Sequence, residues 1–173
     1  MKKIEDYIRT IPNFPEEGIM FRDITTVLQD AEGLKLAIDS MKALVESAEC
    51  DVIVGAESRG FIFGAPIAYA LGKPFVPVRK KGKLPWETIS ESYALEYGTA
   101  EIEIHTDAIK PGQKVVIIDD LIATGGTIAA AINLVERLGA EVTKAVFLLE
   151  LKGLNGRERL KCPVDVVVSY EGI

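Results

Sequence analysis

Histidine is nearly missing from this chain: His105 is the only one among 173 residues. A zinc site therefore has no ligand set, and triad chemistry has a single base to draw on. His105 closes the alternating stretch GTAEIEIH and reads as a strand-end surface residue. Cysteine is scarce as well. Cys50 and Cys162 stand far apart without CxxC spacing, in a chain too large to need disulfide staples, so both are expected to be reduced. An excess of basic charge is lacking too: the formal net charge is -6, with both signs spread along the chain. Without a broad basic face, DNA and RNA are excluded as expected partners. No apolar run approaches the length of a membrane span, and the opening MKKIEDYIRT is charged and amphipathic. The expectation is a cytoplasmic protein with no membrane partner. Two familiar phosphate motifs are absent. Gly55 to Gly60 has Walker A glycine spacing, but Phe61-Ile62 stand where Lys and Ser/Thr must be, and GxGxxG does not occur.

What is present suits one globular domain over residues 1–173 with no appended module: 48% hydrophobic and 27% charged residues, no repeats and no low-complexity tract. The stretch that organises it is VVIIDDLIATGGT, from Val115 to Thr127. Four β-favouring aliphatics, Val115 to Ile118, follow the turn signal Pro111-Gly112 and read as a buried strand. Asp119 and Asp120 come where that strand is expected to end. Ala123-Thr124-Gly125-Gly126-Thr127 follows, then Ile128, Ala131, Ile132, Val135 and Leu138 at helical spacing, stopped by Gly139. In an open α/β sheet such a loop lies at the carboxyl end of a strand, with helix-start amides free to bind an anion. Gly125 and Gly126 allow close approach and positive φ, and the hydroxyls of Thr124 and Thr127 can donate to phosphate oxygens and cap the helix. The glycines alone would fit an ordinary β-α turn. The acids change the balance, because a bare phosphate would be repelled by them, so the ligand must also carry sugar hydroxyls, Mg²⁺ or developing positive charge.

Taken in order, Lys2 to Arg9 has Ile4, Tyr7 and Ile8 at helical spacing and predicts a short amphipathic helix. Pro12 and Pro15 then force an extended path through IPNFPEEGIMFRDIT. Taken by itself this is a strap over the core; as a lid, its aromatic ring could lie on a flat ligand while the backbones of Met20 and Arg22 read the ligand's edge. Asp30 is the expected N-cap of a helix over 31–48, with Leu34, Ile38, Met41 and Val45 as its buried stripe. Asp51 to Val54 is a strand ending in Gly55-Ala56-Glu57-Ser58-Arg59-Gly60, before a helix over 61–71. This is a second glycine-rich strand-to-helix turn at the same sheet edge, where Arg59 beside helix-start amides suits pyrophosphate, although surface arginines are common. Phe75 to Val78 is a short strand, and Arg79-Lys80-Lys81-Gly82-Lys83-Leu84-Pro85 is expected to be a mobile loop anchored by Trp86. Such a run is by default a solvated face; a pyrophosphate leaving group gives it reason to act as a basic lid. Residues 92–97 and 99–105 alternate around Gly98 as a two-stranded flap with Glu96 and Tyr97 at its turn. Residues 143–149, 154–161 and 164–168 read as a strand, a short helical or turn segment and a final strand, all scaffold.

A hydrophobic strand running into DD and then ATGGT resembles the motif with which type I phosphoribosyltransferases bind 5-phosphoribosyl-1-pyrophosphate (PRPP). Three further stretches resemble the adenine phosphoribosyltransferases: FPEEGIMFRDIT their hood, GAESRGFIFGAPIAYALGKPF their pyrophosphate loop and helix, and RKKGKLPWETISESYALEYG their flexible catalytic loop. Together they cover nearly the whole chain. The resemblance implies an α/β fold of the type I phosphoribosyltransferase kind: an open, mainly parallel twisted sheet flanked by helices. It also implies a hood and N-terminal helix over 1–30 and a flexible catalytic flap over 79–105. The implied reaction is adenine plus PRPP to AMP plus pyrophosphate, with Mg²⁺ carried by PRPP and water and no firm protein ligand set. A homodimer is implied too.

By the same resemblance, Arg59, Glu57 and Ser58 with Lys80 and Lys83 serve the pyrophosphate, and the Glu57-Ser58 peptide is cis; the family often has Asp where Glu57 stands. Asp119 and Asp120 hold the ribose hydroxyls, and Ala123, Thr124, Gly125, Gly126 and Thr127 hold the 5-phosphate. Phe21 and Leu121 sandwich the base, with Met20 and Arg22 at its edge, while Glu96, next to Tyr97, approaches adenine N7 as a proton manager. Two rival readings share the cradle. One is a phosphoribosyltransferase for xanthine, hypoxanthine or orotate. The other is a PRPP- or nucleotide-sensing regulator that binds DNA or RNA, which needs a winged-helix domain or basic face that the chain lacks.

Overall fold

The computed structural model describes residues 1–95 and 97–173. Ile4 is buried as its spacing implies, but the helix expected over 2–9 is a single 3-10 turn, Ile4–Asp6. The chain then extends into β1 (Arg9–Pro12), which pairs antiparallel with β2 (Met20–Asp23). Two things end the helix early. Pro12 steers the residue before it toward extended geometry, and Arg9 is drawn to Asp23, with Nη2 at 2.6 Å from the carboxylate. Hydrogen bonds from Thr25 and Arg9 hold the Asp23 carboxyl down at about 2. One short turn, α1 (Thr25–Leu28), leads to α2 (Ala31–Glu46), whose first amides at Glu32 and Gly33 donate to the Asp30 carboxylate at 2.9 Å. Its fully buried row is Gly33, Ala37, Met41 and Val45, so Leu34 and Ile38 flank the stripe and do not define it.

The remaining strands form one sheet. β3 (Val52–Ala56), β4 (Phe75–Lys80), β7 (Lys114–Ile122), β8 (Glu141–Leu151) and β9 (Val164–Tyr170) run parallel, while β5 (Thr88–Ala94) and β6 (Thr99–His105) extend one edge antiparallel. The order is β5-β6-β4-β3-β7-β8-β9. The sheet is mainly parallel with helices on both faces, as expected. α3 (Arg59–Leu71) and α2 pack on one face and α4 (Gly126–Arg137) on the other. Strand alternation sorts the core: Val115, Ile117, Ala145 and Phe147 meet α4, whereas Val116, Ile118, Val146 and Leu148 meet α2 and α3.

Residues 81–87 carry no strand, as expected of the basic loop, and the alternating stretch does form an antiparallel pair, but both are tied to the main sheet. Arg79 and Lys80 still belong to β4, and β5 and β6 are continuous with the main sheet through Arg79–Glu103 and Lys80–Ile102 register pairs. Trp86 is not an anchor; its side chain is exposed, and only its backbone N–H donates, to His105 Nε2 at 3.3 Å. Two acids, Glu103 and Glu57, fasten this stretch instead. Glu103 accepts from the Gly82 amide at 2.6 Å and from Thr88 Oγ1, and Glu57 holds Arg79, the Lys80 amide and Lys83. The helical or turn segment expected over 154–161 is two 3-10 turns, Lys152–Leu154 and Gly156–Arg159.

Candidate active site

β3 and β7 are neighbours, with Gly55 level with Ile118, so the turns that follow them emerge side by side at the carboxyl edge of the sheet. The first places Glu57, Ser58 and Arg59 at the start of α3; the second places Ala123 to Thr127 at the start of α4. Between them stand Asp119 and Asp120, which lie within β7: the strand runs on through the acids to Ile122 because β8 pairs with it up to that point. A cavity of about 380 Å³ opens here, lined by Glu57, Ser58, Arg59, Lys80, both aspartates and Thr127. Beside it a smaller one is lined by Leu121 and the residues from Ala123 to Thr127.

The approach of the two turns depends on glycine. A Cβ on Gly60 would stand 2.9 Å from Ile118 O and 3.0 Å from Asp119 Oδ1, so α3 could not start so close to the acids with any larger residue. Gly125 has φ 83° and would put a Cβ 2.5 Å from Gly156 O. Ala129 N–H bonds back to Gly125 O at 2.9 Å, leaving the amides ahead of it directed out of the helix. The helix start is capped by that left-handed glycine, and neither Thr124 nor Thr127 caps it through its hydroxyl. Gly156 braces the cradle from behind, a role its Asn-Gly context could announce only as a turn.

Charges at the edge are largely paired. Arg59 Nε lies 2.8 Å from Asp120 Oδ2. Burial pushes the Asp119 carboxyl well above the usual range, and the neighbouring Asp120 carboxylate adds to that push. The Asp120 amide donates to Asp119 Oδ1 at 2.8 Å. For Glu57, burial works upward, but hydrogen bonds from Lys83, the Lys80 amide and Arg79 outweigh it and hold the carboxyl below its ordinary value. The Glu57-Ser58 peptide is cis, as the resemblance implied.

The structure thus brings together Arg59, Glu57, Ser58, Lys80, Lys83, Asp119, Asp120 and the cradle residues. The hood residues stay outside these two cavities. Phe21 meets Phe14 edge-on at 5.1 Å, Met20 is exposed, and Arg22 donates to Thr10 Oγ1 at 2.6 Å and stacks over the Tyr170 ring at 4.0 Å. Tyr97 is exposed, and Glu96 lies outside the described residues.

Comparison with known proteins agrees with this geometry. The phosphoribosyl transferase domain family matches residues 23–171. An adenine phosphoribosyltransferase of Butyrivibrio fibrisolvens is 72% identical, over 99% of this chain and 96% of that protein. The crystal structure of adenine phosphoribosyltransferase from Thermoanaerobacter pseudethanolicus superposes with a TM-score of 0.92 at 51% identity, covering 96% of this chain and 98% of that one. The Saccharomyces cerevisiae enzyme, crystallised with adenine and D-2,5-dideoxy-2,5-imino-altritol 1,6-bisphosphate, superposes at 0.91 with 44% identity, over 95% of this chain and 96% of that one. With a glycine-rich helix start, an acid pair and an arginine turn at one sheet edge, and with this identity along its full length, the chain belongs to the adenine phosphoribosyltransferases within the phosphoribosyl transferase domain family.

Proposed function

We propose that this protein transfers the phosphoribosyl group of PRPP to adenine, forming AMP and pyrophosphate in purine salvage. One observation carries the reading: two helix starts, whose first amides can take an anion, flank a pair of carboxylates at one sheet edge. PRPP has the matching layout, a phosphate at C5, a pyrophosphate at C1 and two hydroxyls between. Adenine is the base because the close relatives are adenine phosphoribosyltransferases and the yeast neighbour holds adenine.

In this reading the amides of Ala123 to Thr127 fix the 5-phosphate, and that remote contact positions C1 for attack. Arg59, with Ser58, Lys80 and Lys83, takes up charge on the departing pyrophosphate; Arg59 must exchange Asp120 for the ligand, which frees that carboxylate for the ribose. Glu57 is the tether that holds Lys83 near the crevice. Asp119 and Asp120 grip the hydroxyls and temper positive charge at C1. Phe21 and Leu121 enclose the base, Met20, Arg22 and Tyr97 border it, and Glu96 manages its proton.

Among the described residues, no group of three or more acidic, histidine or cysteine side chains forms a metal cage. The paired aspartates beside a ligand rich in phosphate oxygens fit Mg²⁺ that keeps most of its water and travels with PRPP, neutralising pyrophosphate charge when bound. No described helix is long and apolar enough to cross a membrane, and we place the enzyme in the cytoplasm with its soluble substrates. α3 is apolar on its outer side as well as its inner, with Ile62 and Tyr69 exposed, which supports a homodimer.

Incubation with PRPP, Mg²⁺ and equal adenine, hypoxanthine, guanine and xanthine tests the reading by product analysis. AMP and pyrophosphate should dominate. Another nucleotide would reassign the base, and no pyrophosphate release with any base would overturn the reaction.

A further inference from the structure

The 3-10 turn Gly156–Arg159 carries two arginines with different surroundings. Arg157 is committed to the scaffold: its Nε and Nη2 reach the buried Glu150 carboxylate at 2.6 and 2.9 Å, and its Nη1 donates to Val164 O at 2.8 Å. Among the described residues, Arg159 has no carboxylate partner and its side chain donates no hydrogen bond. It faces the phosphate cradle. A Cβ placed on Gly126 would stand 3.7 Å from Arg159 Nη1, 3.9 Å from Thr124 Oγ1 and 3.4 Å from Tyr93 Cδ2. Arg159 and Tyr93 also line a cavity of about 550 Å³ that shares Thr124 and Thr127 with the crevice. The turn beneath Arg159 is held firmly, because Gly156 is packed against Ala123 and Gly125. The backbone that carries Arg159 is therefore braced against the cradle, and its exposed side chain lies beside it.

The cradle needs such a group. Residues 123–127 contribute amides and hydroxyls but no charge, and the nearest charged side chains on β7 are acids. Arg59 is paired with Asp120, and Lys83 and Arg79 with Glu57. Arg159 is the only cation among the described residues lining the cradle and the adjoining cavity. A phosphate monoester dianion seated on the α4 amides between Asp119 and Arg159 would be repelled from one side and attracted from the other.

We propose that Arg159 is a positioning residue for the sugar 5-phosphate, closing the cradle opposite the α4 amides; the assignment rests on the PRPP reading of the crevice. Arg159 does not touch the reacting atoms. Its loss should weaken capture of the phosphorylated sugar and leave the base untouched. In Arg159→Ala, KM for PRPP and the inhibition constant of ribose 5-phosphate should each rise by about tenfold or more, the scale of one charge-assisted hydrogen bond. KM for adenine should stay within about twofold, and Arg159→Lys should recover most of the loss because the charge remains. Unchanged values for both phosphate ligands, or equal losses for adenine and PRPP, would overturn the assignment. Calorimetric titration of ribose 5-phosphate into wild-type and variant protein needs no adenine. It therefore separates the two readings: Arg159-dependent binding without adenine-dependent turnover would sink the proposed reaction and leave this assignment standing. Turnover with Arg159-independent sugar phosphate binding would do the reverse.

Discussion

β3 and β7 each run into a glycine-containing turn and a helix, and their register sets the turns side by side, yet the turns handle charge in opposite ways. The turn after β3 is full of charge and holds it in pairs: Glu57 with Arg79 and Lys83, Arg59 with Asp120. The turn after β7 carries none and offers amides, with a left-handed Gly125 pressed against Gly156. In the proposed reaction the first suits a ligand whose charge changes, since ion pairs can exchange partners as a pyrophosphate arrives and departs. The second suits a phosphate that must be held still throughout, since oriented backbone needs no rearrangement.

That contrast can be broken from either side. The largest effect is expected for Arg59→Ala, which should lower kcat/KM by ~10²-fold or more, the scale of losing one group that stabilises developing charge. Steady-state kinetics at saturating adenine would show it, and unchanged values would remove Arg59 from the charge-handling turn. Gly125→Ala comes next. A side chain at φ 83° and 2.5 Å from Gly156 O must displace the cradle, and a shift of that kind should cost ~10²-fold in kcat/KM for PRPP while far-ultraviolet circular dichroism stays native. Normal turnover would mean that the amides are not the phosphate site.

Asp119→Asn separates stability from function. Because burial and Asp120 raise the folded-state value, the ionised carboxyl costs stability at neutral pH; that cost appears as pH rises above the ordinary carboxylate range. The asparagine variant should therefore melt at or above the wild-type temperature at neutral pH, the gap closing below about pH 4, while activity falls. A lower melting temperature at neutral pH would contradict the assigned direction. The smallest effect is expected for Glu57→Gln. Its folded-state value is depressed, so its tether contributes above the ordinary carboxylate value and is lost as pH falls through the depressed one. With partners that are partly exposed, removing the charge should cost no more than ~1 kcal/mol, but amide exchange at Lys80 should quicken several-fold. Unaltered exchange would show that Glu57 does not fasten the stretch.

Legibility differed along the chain for physical reasons. Strands with one apolar run, such as Val115 to Ile118, and α2 with its Asp30 cap were readable because their signals are local: residue type, period and cap. Boundaries were less readable. β7 runs past its acids, and β4 past Val78, because neighbouring strands supply hydrogen-bond partners there. The N-terminal helix failed where Arg9 found Asp23, fourteen residues on. At the site, Asp119, Asp120 and the glycines stood out as candidates by chemistry alone, whereas Arg159 sat in a segment read as scaffold. Nothing local distinguishes it from Arg157; only packing beside Gly126 does.

The amino-acid sequence by itself determined the alternation of strands and helices, the two glycine turns and the acids between them, since these follow from period, backbone freedom and side-chain chemistry. The tertiary structure decided which turns share an edge, that Arg59 rests on Asp120, that Glu57 tethers the basic stretch and that Gly156 supports the cradle. Those are contacts between residues distant along the chain, and they arise only when parallel pairing of β3 with β7 brings separate segments within reach of one another.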